Sequence, residues 1–171
     1  VNKKEAAKYH KIAADNGDTR SMMCYASMNY QGDGIAVNKV EAAKYFKLAA
    51  DQEDDNGRIY YANMLATGDG IEVNKSEAAK YYKLAADKGD IRGKYGYANM
   101  LIKGEAIEIN KKTLAQYYKE AADEGHIESM FNYGIMLEKG DGIKIDEKEA
   151  LKYYKKAADK GHALSKTNYE S

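Results

Sequence analysis

The chain repeats itself every 36 residues. Aligned on Val1, Val37, Val73, Ile109 and Ile145, the same letters recur without gaps, and residues 37–72 match 73–108 at 23 of 36 positions. A fixed period of this size means stacked supersecondary units, each of which buries its apolar face only against its neighbours. The 171 residues therefore form one elongated array and not a single rounded core, with units near 1–36, 37–72, 73–108, 109–144 and 145–171.

Each unit reads as two helices. The first spans about 39–51 in one copy, with equivalents near 3–15, 75–87, 111–123 and 147–159. Its apolar places, Ala42, Tyr45, Phe46, Ala49 and Ala50, fall three and four apart, which is one face of a 3.6-residue period. Asn2/Glu5, Asn38/Glu41, Asn74/Glu77 and Asp146/Glu149 have capping-box spacing, whereas the Asn110 copy carries Thr113 and should cap less well. Gly17, Gly89, Gly125 and Gly161 follow this helix, where a left-handed residue can close it. Glu53 stands in the equivalent place, which predicts a strained or rebuilt junction. The second helix runs near 18–30, 54–66, 90–102 and 126–138, with a partial copy from 162. Asp18, Asp54 and Asp90 are its N-caps by composition. Gly32, Gly68, Gly104 and Gly140 stop it before a Gly-Asp-Gly-Ile loop, which in the third copy reads Gly104-Glu105-Ala106-Ile107. Short connections predict antiparallel neighbours and about ten helices.

Composition excludes several functions. Lys plus Arg and Asp plus Glu both total 27, and no block of one sign stands out, so the basic face that nucleic acid requires is missing. No apolar run is long enough for membrane insertion. The chain opens on Val and reads as a segment of a longer protein, or one whose leader was removed. The single cysteine, Cys24, forms no internal disulfide, which favours a reducing, cytoplasmic setting. No spacing suggests a nucleophile with its base. Gly-Asp-Gly lacks the strand and fingerprint of a phosphate cradle. His10 fills a place held by Phe46 and Tyr82 elsewhere, and His126 and His162 are equivalents one repeat apart, too far apart to share an ion. No catalytic residue, metal site or cofactor is expected.

The letters Lys-Tyr-Tyr-Lys-Leu-Ala-Ala-Asp-Lys-Gly at 80–89 and Tyr-Ala-Asn-Met-Leu-x-x-Gly-x-x-Ile at 97–107 resemble the Sel-one-like repeat (SLR) family, a branch of the tetratricopeptide-like α/α solenoids. The resemblance covers the whole chain. It departs from the family at Tyr25, Tyr61, Tyr97, Tyr133 and Tyr169, where Leu is usual, and in having no loop proline. The resemblance implies an all-α, right-handed superhelical solenoid whose second helices line the concave face. It also implies a non-enzymatic scaffold or adaptor role in assembling complexes. The alternative is a regulatory arm of an enzyme encoded elsewhere in the same chain.

Comparison of the copies with one another separates packing from recognition. The small residues Ser21, Gly57, Gly93 and Ser129, the Tyr25 series, and Met28, Met64, Met100 and Met136 recur on one side of the second helix and are core by periodicity. The other side varies: Arg20, Asn56, Arg92, Glu128; then Met23, Ile59, Tyr95, Phe131; then Ser27, Asn63, Asn99, Ile135; then Tyr30 and Ile102. These are the candidate residues for a protein or peptide partner on the concave face, apolar anchors among amides and guanidinium groups. The alternative for the line from Met23 to Phe131 is packing between neighbouring repeats. On the first helix the recurring Lys11 and Asp15 series reads as a solvated convex face. Ala6, Tyr9 and Ala13 should partly face a missing neighbour, so that the ends fray or stack on another molecule.

Overall fold

The computed structural model describes residues 2–102 and 111–170. Among these there are ten helices: α1 Lys3–Asp15, α2 Thr19–Gln31, α3 Lys39–Asp51, α4 Asp55–Thr67, α5 Lys75–Asp87, α6 Ile91–Ile102, α7 Lys111–Asp123, α8 Ile127–Lys139, α9 Glu147–Asp159 and α10 Ala163–Glu170. The first helices of each repeat begin and end where the 3.6-residue pattern places them. The second helices start one residue later than the pattern suggests, because Asp18, Asp54 and Asp90 are caps and not helical residues. Their carboxylates accept the amide protons of Ser21, Gly57 and Gly93. The chain divides into two compact units, Val1–Ala85 and Ala86–Ser171.

In the first unit the core runs between α1, α2, α3, α4 and α5. Ala26, Ala42, Ala49, Ala62 and Tyr45 are wholly buried. Close approach explains the recurring small residues. A Cβ on Gly57 would lie 2.8 Å from the Ala50 nitrogen and 3.0 Å from the Phe46 carbonyl oxygen, so α3 and α4 could not meet with a larger side chain there. The second unit repeats the scheme in α6–α10, with Ser129, Ser165, Tyr118 and Ala121 fully buried.

The tyrosines explain the aromatic content. Tyr25, Tyr61, Tyr97 and Tyr133 each stand edge-on to a first-helix tyrosine twenty residues on. The pairs are Tyr25–Tyr45, Tyr61–Tyr81, Tyr97–Tyr117 and Tyr133–Tyr153, at 4.9–5.4 Å and 85–89°. The partner tyrosine then donates its hydroxyl to the aspartate that ends the preceding first helix. Tyr45 reaches Asp15, Tyr81 reaches Asp51 at 3.0 Å, and Tyr153 reaches Asp123 at 2.6 Å. The same aspartates pair with Lys11, Lys47 and Lys119 one turn back. The Lys–Asp series expected as a solvated face is therefore half structural: it anchors one repeat on the next. Tyr9, the equivalent in α1, is 63% exposed, while Ala6 and Ala13 are half-buried.

The loops close in the same way in each copy. Gly142, at a φ of 78°, sits so near α7 that a Cβ would lie 2.5 Å from the Lys111 Cβ, and Gly34 and Gly70 press equally on Lys3 and Lys39. The loop aspartates Asp33, Asp69 and Asp141 take the ammonium groups of those lysines at 2.5 Å. The third loop and the Asn110 cap lie outside the described residues. One expectation is corrected. Asn38, Asn74 and Asp146 cap the following helix, but their own amides go to the carbonyl groups of Asn29, Leu65 and Leu137 at 2.8–3.0 Å. The capping-box glutamate is thus displaced from the cap amide by the end of the preceding helix, and Glu77 instead accepts from the Asn74 side chain at 3.1 Å.

Glu53 adopts the left-handed conformation, φ 66°, and makes the same turn bonds as the glycines, with Glu53 donating to Ala50 and Asp54 to Ala49. At Gly17 and Gly89 a Cβ would meet nothing within 4 Å, so the cost at this position is torsional and not steric crowding. Glu53→Gly should stabilise the chain by about 0.5–1 kcal/mol in urea denaturation. Equal or lower stability would show that the side chain offsets its own backbone strain.

Candidate interaction face

The candidate residues sort into three groups by what they touch. Arg20, Asn56, Arg92 and Glu128, at the start of α2, α4, α6 and α8, are exposed. Arg92 forks onto Asp90, with Nε 3.1 Å from Oδ1 and Nη2 2.6 Å from Oδ2. Burial raises the Asp90 pKa, but Arg92 and the helix-start amides outweigh it and hold this carboxyl below its ordinary range.

In the second group Tyr30, Tyr95 and Phe131 reach residues of the next repeat. Ile59 is 5% exposed, so this expected anchor offers almost no surface. Tyr95 and Phe131 are half-buried, with their rings 4.4 Å from His126 and 4.6 Å from His162. Tyr30 donates its hydroxyl to Asp69 at 2.6 Å, beneath the Lys39 ammonium 5.2 Å from its ring centroid. The hydrogen bond to Asp69 raises the Tyr30 pKa, and Lys39 together with Tyr30 lowers that of Asp69. Met23 and Ser27 are half-buried beside a hollow of about 450 Å³ shared with His10 and Cys24.

The third group receives hydroxyls from the next first helix. The exposed Asn63 accepts the Tyr82 hydroxyl at 2.5 Å, and the half-buried Asn99 accepts that of Tyr118 at 2.8 Å. Burial pushes the Tyr82 hydroxyl up to about 12. Ile135, also half-buried, offers no acceptor, and Tyr154 turns to Glu138 at 2.6 Å instead. The copy with Phe46, which has no hydroxyl, carries Ser27 in this place. The variable residues are thus partly set by one another. The pairing of Asn with Tyr holds in two copies and fails in the copy with Ile135 and Tyr154. The Ile102 side chain lies outside the described residues.

Sequence reasoning weighs His126 and His162 only as metal ligands and misses their role as helix caps. His126 and His162 occupy the cap position of Asp18, Asp54 and Asp90, and each accepts through Nδ1 from the amide of Ser129 or Ser165, at 3.3 and 3.1 Å. Such a cap requires an unprotonated nitrogen. Burial lowers the His126 pKa from its ordinary 6.5, opposed in part by Glu128, 3.7 Å away. Among the described residues no group of three or more His, Cys, Asp or Glu could hold a metal ion, and no helix is long and apolar enough to cross a membrane.

Paired antiparallel helices, 36-residue spacing and residues that link each first helix to the next define an α/α solenoid of the repeat class. The family model described as Sel1 repeat matches residues 1–18, 20–54, 57–90, 93–126 and 127–162, and the chain belongs to the Sel1 repeat family. Among solved structures it is similar to a protective antigen of uropathogenic Escherichia coli strains displaying an SLR fold, at 25% identity and a TM-score of 0.92. That match covers 97% of this chain and 36% of the antigen, so the chain spans about a third of that protein. A Sel1 repeat protein from Oxalobacter formigenes matches at 26% identity and a TM-score of 0.89, over 97% of this chain and 68% of the other. Cysteine rich protein B of Helicobacter pylori, at 22% identity and a TM-score of 0.60, shares the fold over 77% of this chain and 96% of its own. The comparison with curated proteins gives no match. Sel1 repeat proteins are generally protein-interaction scaffolds.

The His126 cap makes stability depend on pH. The unfolded chain takes up a proton that the folded cap resists, so this contribution is complete above pH 6.5. It is lost as pH falls below that value, down to the lowered folded-state pKa. His126→Asp installs the cap of the other copies. The stability of native protein relative to this variant should fall between about pH 7 and 5. A constant difference across that interval in urea melts would contradict the assignment.

Proposed function

We propose that the chain is a non-enzymatic scaffold that binds a segment of a partner protein along the face of its second helices, the concave face in solenoids of this class. The observation that carries this reading is the split between copies. Residues that recur on the second helices are buried or half-buried, whereas the variable line Arg20, Asn56, Arg92 and Glu128 is exposed in every copy. An exposed line that varies between copies, with amide and guanidinium groups of differing character, suits backbone carbonyls and acidic side chains of a polypeptide. Beside it, Tyr95 and Phe131 keep part of each ring exposed and serve as anchors, while Ile59 and Tyr30 belong to the packing.

Affinity capture by the full-length protein tests this. Arg20, Asn56, Arg92 and Glu128 all changed to Ala should leave stability within about 0.5 kcal/mol per site and abolish capture. Tyr95→Ala with Phe131→Ala should reduce capture and also lower the melting temperature, since both rings pack on histidines of the next repeat. A folded quadruple variant that captures its partner at the native yield would defeat the reading.

A further inference from the structure

Arg58 is the most unusual residue away from this face. It projects from α4 with 5% exposure and meets the Asp55 carboxylate through Nη1 at 2.8 Å. Its Nε is buried without a hydrogen-bond partner, the one such side-chain atom among the described residues. A buried guanidinium with an unmade bond is costly, and such an atom calls for an explanation. Arg58 lines a cleft of about 570 Å³ between the end of α3 and the outer side of α5, walled by Glu53, Lys80, Tyr81 and Leu84. All of these lie in the first unit, and none belongs to the variable face.

The protein shows what completes such a site. One repeat on, Lys94 holds the same position, is 8% exposed, and lies 2.6 Å from Glu124 and 3.3 Å from Glu120. The residues at the places of those two carboxylates in the Arg58 copy are Leu84 and Lys88. Met22 and Met130 hold the position in two other copies and need no counter-charge, and Lys166 holds it in the last. Arg58 thus keeps the buried cation with Asp55 at Nη1, but without the two carboxylates found beside Lys94. The carboxylates lining the cleft do not replace them. Asp51 pairs with Lys47 and accepts from Tyr81, Glu77 serves Asn74, and Glu53 has an interaction of its own.

We propose that the Arg58 cleft is a second binding site, which accepts a carboxylate from a bound polypeptide in the place that Glu120 and Glu124 take beside Lys94. A guanidinium fork is suited to receive a carboxylate through two donors, and Lys80 adds a second positive charge at the wall. The carboxylate comes from an acidic side chain or from a chain terminus. The site does not depend on the second-helix face.

The test follows the Arg58 Nε–H resonance and the Leu84 methyl resonances of the full chain by NMR. The three probes are Ac-Ala-Glu-Ala-NH2, Ac-Ala-Ala-Ala-OH and Ac-Ala-Gln-Ala-NH2. At least one carboxylate probe should shift these resonances saturably, and the glutamine probe should not; which carboxylate works identifies its source. Arg58→Met, the residue of two other copies, should remove the response at Leu84. Leu84→Glu supplies the carboxylate within the chain, and should weaken probe binding at least about tenfold and raise the melting temperature. Three results would each overturn the site: no saturable shift with either carboxylate at about 50 mM, an undiminished response in Arg58→Met, or native binding by Leu84→Glu.

Discussion

The structure depends on a hydrogen bond made thirty residues apart along the chain. A first-helix tyrosine hands its hydroxyl to the aspartate ending the preceding first helix, and that aspartate is held in place by a lysine one turn back. The same tyrosine makes a T-shaped contact with a second-helix ring, so one side chain joins three helices. A solenoid has no central core, and each interface must specify both the distance and the rotation of its neighbour. Buried alanines set the distance. The directional tyrosine–aspartate bond sets the rotation, because a hydrogen bond weakens steeply when its angle is wrong.

This explains which parts of the chain were legible in advance. Helix positions followed from apolar spacing and caps, and the left-handed Glu53 followed from its glycine equivalents. The buried second-helix stripe followed from recurrence. The Asp15 series was harder to place, because a charged residue on a lysine-rich helix looks solvated until its partner thirty residues away is known. The Glu5 series had the right spacing for a capping box, yet at Asn38, Asn74 and Asp146 the cap amide is taken by a helix-end carbonyl. Local sequence carries no sign of that competitor.

Variation among the copies suggests freedom from packing, and only part of it is that. Asn63 and Asn99 accept the hydroxyls of Tyr82 and Tyr118, His126 and His162 substitute for aspartate caps, and Ile59 is buried. Once these are set aside, what remains exposed is a narrow polar line on the second helices; apart from it stands the buried Arg58, whose Nε has no hydrogen-bond partner. Both are proposed to serve recognition of polypeptide, in keeping with the general role of Sel1 repeats.

The most direct measurement is a double-mutant cycle on Tyr153→Phe and Asp123→Asn, read by urea denaturation at neutral pH. A bond that carries the interface should give a coupling energy of about 1–3 kcal/mol, in the range of hydrogen bonds to charged acceptors. Additivity within about 0.3–0.5 kcal/mol would mean that apolar packing alone orients the repeats, and would contradict the account.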